Sequence, residues 1–449
     1  MASKLSRLAQ LGTLSTKVGG SYLGQRIQGL FQDEQGRKNS LDATHVANAE
    51  RIVSNLGSLK GAAMKVGQAV AQVADGLNMP PEARAMLGKL HDKAEPIPFA
   101  AIKKRVEREL GGDLATLYKS FDEEPVGTAS LGQAHGAVLP DGTRVVVKVL
   151  HDGIEDSVIS DMSALKSMLL AGRFINRDKA EVDVIWQEIT ERLNEELDYR
   201  QEAANLQFFR RQFTQGRPID RDPEVTIPFV HEGWSTGKVL TMERLEGRPL
   251  SVFASTAPEA ARQRAGATLG RTFLKMEYLW RAIHADPHPG NYLFMPDGRV
   301  GILDFGCVRR YDLQWMATYA RIGHATLHGD RETTIKLAMQ LGCITERHPE
   351  ADELLWQLCA AIGKAFVPGG FRMGADNDTI QDEVTRLMPG ILAQHRLKAP
   401  KELVYLHRAL GGTHQLLKQL RVHSEWRTMF LDVGGQCIRE AEAAGGAAS

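Results

Sequence analysis

His284-Ala285-Asp286-Pro287-His288-Pro289-Gly290-Asn291, followed thirteen residues after Asn291 by Asp304-Phe305-Gly306, is the stretch on which the fold turns. The order D-x-x-x-x-N and then D-F-G, the latter closing an apolar strand, supplies what phosphoryl transfer requires. One carboxylate stands by the attacking group, and hard oxygen donors hold a divalent cation against phosphates. Asp286 occupies the position of a catalytic base, Asn291 that of a neutral metal ligand, and Asp304 that of the charged ligand bridging metal and phosphate. Three hard oxygen donors suit Mg2+. The bland alternative is a proline-rich turn near an unrelated Asp-Phe-Gly, and the order and spacing of the two motifs argue against it. His284 and His288 make H-x-D-x-H, a pattern that also suits an imidazole-preferring metal. A structural His284, bonding backbone around the catalytic turn, is the simpler reading.

Upstream, the β-branched run Val145-Val146-Val147-Lys148-Val149 follows a Pro140-Asp141-Gly142 turn signal, so two strands joined by a tight turn are expected over Val126–Leu150. Lys148 puts a charge on a strand that otherwise reads as buried, and such a charge needs a partner or a ligand. In a kinase-type arrangement that lysine meets the α- and β-phosphates and is held by a helix glutamate. Glu202 is the candidate partner. Ile185, Ile189, Leu193 and Leu197 mark a helix expected to continue to about Phe213. Before the hairpin, Gly127-Thr128-Ala129-Ser130 and Gly132 suit a phosphate-covering loop, because small residues let N–H groups approach closely. A plain turn would use the same residues. Val225–Pro228 and Lys238–Met242 read as further strands completing a small sheet with one helix against it. Met242 and Glu243, at the end of the last strand, are placed as the hinge offering backbone hydrogen bonds to adenine. After Leu250 the periodicities are helical, apart from a short strand at Val300–Leu303.

With 449 residues, 43% hydrophobic and 24% charged, the chain can bury more than one core. Lys plus Arg and Asp plus Glu both number 55, so no global field draws it to nucleic acid or anionic lipid. The four cysteines, Cys307, Cys343, Cys359 and Cys437, show no C-x-x-C pairing, and free thiols in a reducing compartment are expected. No run reaches the roughly 18 apolar residues of a membrane-spanning helix, and no secretory apolar core is present. Residues 1–42 read as a flexible or amphipathic segment, basic until Asp33. Ile52, Leu56, Leu59, Ala63, Val66, Val70 and Val73 then form one stripe of a helix within a 43–95 extension. Residues 96–245 are expected as a first lobe, 246–435 as a mostly helical second lobe, and 436–449 as a disordered tail.

These motifs resemble those of the UbiB/AarF family of atypical kinase-like proteins, over roughly residues 45 to 420. Lys65-Val66-Gly67-Gln68 resembles the family's K-x-G-Q, Glu196-Leu197-Asp198 its E-x-D, Gly127–Ser130 its alanine-rich loop, and His284–Asn291 its catalytic loop. The resemblance implies an α+β, two-lobed protein-kinase-like fold with a helical N-terminal extension packed over the active site. It also implies Mg2+ and ATP as ligands, with Lys65, Gly67, Gln68, Glu196 and Asp198 regulatory. An ideal helix puts Glu196 about 160° from Asp198, so both can face Lys65 only if the helix begins or bends there. The family loop is usually A-A-A-S, and Gly127-Thr128-Ala129-Ser130 departs from it, leaving nucleotide preference open. The expectation is an atypical kinase or ATPase, acting on or regulated by a lipid or quinone-precursor molecule and linked to ubiquinone biosynthesis. Its expected setting is cytoplasmic with peripheral membrane contact, or mitochondrial in a eukaryote. A nucleotide-dependent binding module and an ordinary protein kinase are the alternatives. Nothing in the sequence sets the oligomeric state.

Overall fold

The computed structural model describes residues 96–129, 131–171 and 179–446. The segments 1–42 and 43–95, with Lys65, Gly67 and Gln68, and also Ser130, lie outside the described residues. The described chain divides into two units. One runs to Ala203 and takes in Val230–Arg244; the other comprises Ala204–Phe229 and the chain from Leu245 onward.

In the first unit the alternation of strand β3 (Arg144–Leu150) decides the layering. Val145, Val147 and Val149 are fully buried, while Val146 and Lys148 on the opposite face are half-buried. The valine face packs on Ile102 and Val106 of α1 (Phe99–Leu110), with Tyr118, Leu139 and Val239 closing the core. β1 (Ser120–Thr128), β2 (Gly132–Val138), β3 and β5 (Val239–Glu243) form an antiparallel sheet in the order β1-β2-β3-β5. The β2–β3 turn is the expected one: Gly142 has φ 93° and its N–H reaches Leu139 O. After α2 (Leu114–Leu117) and the sheet hairpins come α3 (Ile154–Ala171), α4 (Lys179–Glu196) and α5 (Tyr199–Gln215). The expected single helix through Phe213 is therefore two. The chain breaks at Leu197-Asp198, where Asp198 Oδ1 accepts from Arg200 N at 3.0 Å and Tyr199 N donates to Gly237 O at 2.9 Å. The bend that the Glu196/Asp198 pair requires is present.

The second unit holds a four-stranded sheet of order β4-β9-β8-β6, made of β4 (Val225–Thr226), β6 (Arg248–Pro249), β8 (Tyr292–Phe294) and β9 (Val300–Ile302). It also holds a β7 (Ala282–His284) and β10 (Val308–Arg310) ladder. Val225–Thr226 thus belongs here and not to the small sheet of the first unit, because it pairs in parallel with Val300–Gly301. Residues 204–229 come with it. Phe209 stacks on Phe305 and Phe213 meets Trp280 edge-on. Arg271 on α7 (Glu259–Leu274) bonds Asp222 at 2.6 Å and Glu224 at 2.9 Å. The remaining helices are α6 (Leu250–Thr256), α8 (Leu313–Leu327), α9 (Arg331–Gln340), α10 (Pro349–Gly363), α11 (Ile380–Ala393), α12 (Lys401–Leu420) and α13 (Trp426–Gly446). A second small ladder joins Phe371–Arg372 to His423–Ser424, so the expectation of one strand after Leu250 is too sparse. The tail expected to be disordered from residue 436 is helical through Gly446, because its small residues Cys437 and Ala441 are buried. No helix among the described residues is long and apolar enough to cross a membrane.

Candidate phosphoryl-transfer site

Two antiparallel ladders bracket the motif residues in the second unit. Val308 pairs with His284, and Ala285 N donates to Cys307 O at 2.9 Å, which ties the start of one loop to the end of the other. Tyr292 pairs with Ile302, and Leu303 N donates to Asn291 O at 2.9 Å, which ties the other ends. The loop 285–291 and the loop 303–307 are thereby held side by side, with Asp286 and Asn291 on one and Asp304 on the other.

Within this frame each side chain has defined hydrogen bonds. Asn291 Nδ2 donates to Asp286 O at 3.1 Å, so the amide oxygen is the end turned toward any cation. Asp304 Oδ1 accepts from Gly306 N at 2.9 Å, which folds the Asp-Phe-Gly turn around its own carboxylate. His284 is buried, with Nε2 3.5 Å from Asn291 Nδ2. Burial lowers its proton affinity more than Asp304 and Asp286 raise it. His288 Nδ1 accepts from Gly290 N at 3.1 Å, capping the short turn Pro289–Asn291. The set of a carboxylate, a carboxamide oxygen and a second carboxylate fits Mg2+.

Sequence reasoning missed the groups that steady this loop. Arg408 on α12 donates to Asp286 Oδ1 at 2.8 Å. One turn further on, Gly412 leaves no room for a side chain: a Cβ there would stand under 3.0 Å from Pro287 Cγ. Asn205 Nδ2 donates to Phe305 O at 3.0 Å, on the same α5 face as Phe209. The adjacent glycines 411 and 412, inside a stretch of helical periodicity, were the available signal for close packing.

In the first unit Lys148 forms an ion pair with Glu202, both largely buried. Gly127 and Thr128 pair with Ala134 and Gln133, so they close strand β1 and are not part of a loop, and Ala129 N donates to Gly132 O at 2.9 Å where the chain passes to β2. Gly132 itself is required there, since a Cβ would meet Val149 O at 2.6 Å. Glu196 ends α4 and Asp198 caps α5, and a Cβ on Gly237 would meet Asp198 Oδ1 at 2.8 Å. A cavity of about 500 Å3 in this unit is lined by Asp198, Arg105, Glu155, Arg200 and Lys238. Lys148 is not part of its wall. Met242 lies opposite Val146 in β5. The bonds Arg244 N to Arg144 O and Leu150 N to Lys238 O set the alternation, which commits the Met242 main chain to β3. The other edge of β5 is covered by Val230 and His231, with Val230 bridging Met242 and His231 N donating to Thr241 O at 2.9 Å.

The ABC1 atypical kinase-like domain matches residues 89–338, a range that includes Lys148, Glu202, Asp286, Asn291 and Asp304. The chain belongs to the ABC1 atypical kinase-like family. Curated relatives include the mitochondrial atypical kinase COQ8B of Rattus norvegicus, 30% identical over 96% of this chain and 80% of its own length. COQ8B of Danio rerio is 28% identical over 96% of this chain and 68% of its own. COQ8 of Saccharomyces cerevisiae is 27% identical over 96% of this chain and 85% of its own. Among solved structures, the Mycobacterium tuberculosis protein Rv3197, described in complex with erythromycin, aligns with a TM-score of 0.62. That match has 23% identity and covers 89% of this chain and 98% of that one. This chain has the kinase-like fold, mixed helix and sheet, and the UbiB/AarF resemblance of its motifs agrees with these relatives.

Proposed function

We propose that this family member is a Mg-ATP-dependent atypical kinase or ATPase whose acceptor or regulator is a lipid or quinone-like small molecule. The observation that carries the reading is the bracketing of Asp286, Asn291 and Asp304 by the β7–β10 and β8–β9 ladders, with the Asn291 nitrogen turned away to the Asp286 carbonyl. Asn291 Oδ1 and the Asp304 carboxylate are the groups that would hold Mg2+, which when bound neutralises charge on the phosphates. Asp286 orients an acceptor hydroxyl and takes its proton. In the first unit, Lys148 held by Glu202 suits the α- and β-phosphates, the small residues Gly127, Thr128, Ala129 and Gly132 suit a close approach of N–H groups to phosphate, and the strand end Met242–Glu243 is assigned to adenine.

A small acceptor is favoured by the segment after Asp304-Phe305-Gly306. It returns at once along β7 as Val308–Arg310, and Asp312 then caps α8, leaving no extended stretch on which a polypeptide substrate would lie. The UbiB/AarF resemblance supports a link to ubiquinone biosynthesis, and relatives named as mitochondrial support that location for a eukaryotic source. The test is ATP turnover by the purified chain with and without anionic liposomes and a quinone-precursor phenol, beside Asp304→Asn. Turnover that rises with lipid or phenol and vanishes in the variant supports the reading. Metal-dependent binding without turnover would assign a conformational module instead, and phosphopeptide products an ordinary protein kinase.

A further inference from the structure

Arg408 has no part in the reading above, yet its guanidinium lies 2.8 Å from the carboxylate assigned to the acceptor. α12 holds it there through three separate contacts. Tyr311 Oη donates to Glu402 O at 3.0 Å, Arg309 stacks over Tyr405 at 5.1 Å, and Gly412 sits against Pro287. A guanidinium has five N–H donors. Among the described residues one nitrogen of Arg408 is committed, to Asp286 Oδ1, and the side chain is 34% exposed. Two residues beyond Asp286, His288 Nδ1 accepts from Gly290 N at 3.1 Å and is thereby turned to the Pro289–Asn291 turn.

We propose that Arg408 is a further catalytic residue, a cation that binds the phosphoryl group in transit while it holds the Asp286 carboxylate in place. The proposal rests on the Mg-ATP reading and adds a transition-state contact to it. The step balances as follows. An acceptor O–H attacks the γ-phosphorus, and the new O–P bond forms as the bond to the β–γ bridging oxygen breaks. The electron pair of that bond leaves on the diphosphate. The acceptor proton passes to Asp286 Oδ2, and Arg408, which keeps its protons, donates to the non-bridging oxygens. A loose transition state is one in which positioning and charge neutralisation outweigh proton removal.

The test compares wild type, Arg408→Gln, Arg408→Lys, Asp286→Asn and the Asp286→Asn/Arg408→Gln double variant of the full chain. It reads kcat and KM for Mg-ATP, Kd for Mg-ADP, and Tm. Arg408→Gln should lower kcat by about 100-fold or more while Kd for Mg-ADP, which lacks the transferred group, stays within about threefold. The double variant should be at least about tenfold slower than Asp286→Asn alone, because the cation acts on the phosphoryl group and not only through the carboxylate. Should Arg408→Gln fail to fold, Arg408→Lys carries the test with a loss of about tenfold, since an ammonium cannot present the planar fork. An Arg408→Gln or Arg408→Lys enzyme within twofold of wild-type kcat, a double variant no slower than Asp286→Asn, or a parallel collapse of Mg-ADP affinity and Tm would overturn it. A wild type that neither binds Mg-nucleotide nor turns over ATP would instead defeat the underlying reading, and the role of Arg408 with it.

Discussion

Gly411 and Gly412 are neighbours on one helix and should respond in opposite ways to alanine. At Gly411 a Cβ meets nothing within 4 Å, so Gly411→Ala gains helix propensity, about 0.5–1 kcal/mol, without cost. At Gly412 the same methyl stands under 3.0 Å from Pro287 Cγ and 3.3 Å from Cδ. Carbon atoms settle near 3.5–4.0 Å, so the ring and the helix must separate by at least about 0.5 Å. Overpacking of this kind costs about 1–3 kcal/mol, which offsets the propensity gain and leaves Gly412→Ala about 1–3 kcal/mol less stable than Gly411→Ala. The larger effect is on the site. Asp286 precedes Pro287, and Arg408 lies one turn before Gly412, so the same displacement pulls apart the 2.8 Å contact between them. A misplacement of about 1 Å can cost 100-fold, so roughly tenfold or more is expected here in kcat. Urea unfolding and Mg-dependent ATP turnover of the two variants measure both quantities. Equal stability and equal turnover for the pair would refute the packing argument and the assignment of α12 to the site.

Glu277, in the π-helical turn Lys275–Leu279 that feeds β7, is buried, and burial pushes its carboxyl up to about 8. The folded state therefore keeps a proton that the unfolded chain has lost, and stability falls as pH rises from about 4.5 to 8, by about 1.4 kcal/mol per unit for one proton. Glu277→Gln should gain on wild type across that window and run parallel above it; a difference independent of pH in urea unfolding would reject this. His151 is also buried, and burial lowers its pKa to about 4. Here the unfolded chain binds the proton first, so stability is lost as pH falls from about 6.5 to 4, and His151→Leu should flatten that limb of the profile. Lys148→Met removes the ammonium facing Glu202 and should weaken Mg-ADP binding at least tenfold, whereas Asp286→Asn should leave binding intact and lower turnover to a slow but measurable rate. Wild-type affinity in Lys148→Met would remove that lysine from the nucleotide site.

Local chemistry was the legible part. The valine alternation around Lys148, the Pro140-Asp141-Gly142 turn and the glutamate partner at Glu202 follow from side-chain pattern and the cost of burying charge, and the structure pairs those residues. The angular conflict between Glu196 and Asp198 likewise called for a helix break that is present at Leu197. Long-range pairing was not legible. Val225–Thr226 is a two-residue strand whose partner lies at Val300, and two residues carry no periodicity. Residues 204–229 went to the second unit because Phe209 stacks on Phe305 and Phe213 meets Trp280 edge-on, contacts that no local pattern announces. Arg408 lies 122 residues from Asp286, and its role exists only once α12 is folded. The Ala/Gly-rich end misled for a related reason: small residues read as low complexity, yet at Cys437 and Ala441 they allow close helix packing.

The central claim is that Asp304 and Asn291 hold the metal of a nucleotide site, and calorimetric titration of the full chain with ADP tests it most directly. The titration is run in Mg2+ and in EDTA, on wild type, Asp304→Asn and Asn291→Ala. The account predicts a saturable, Mg-dependent heat in wild type that falls at least tenfold in affinity in either variant, with unchanged Tm in the absence of nucleotide. Nucleotide binding that is equal with and without Mg2+, or equal in Asp304→Asn, would contradict it.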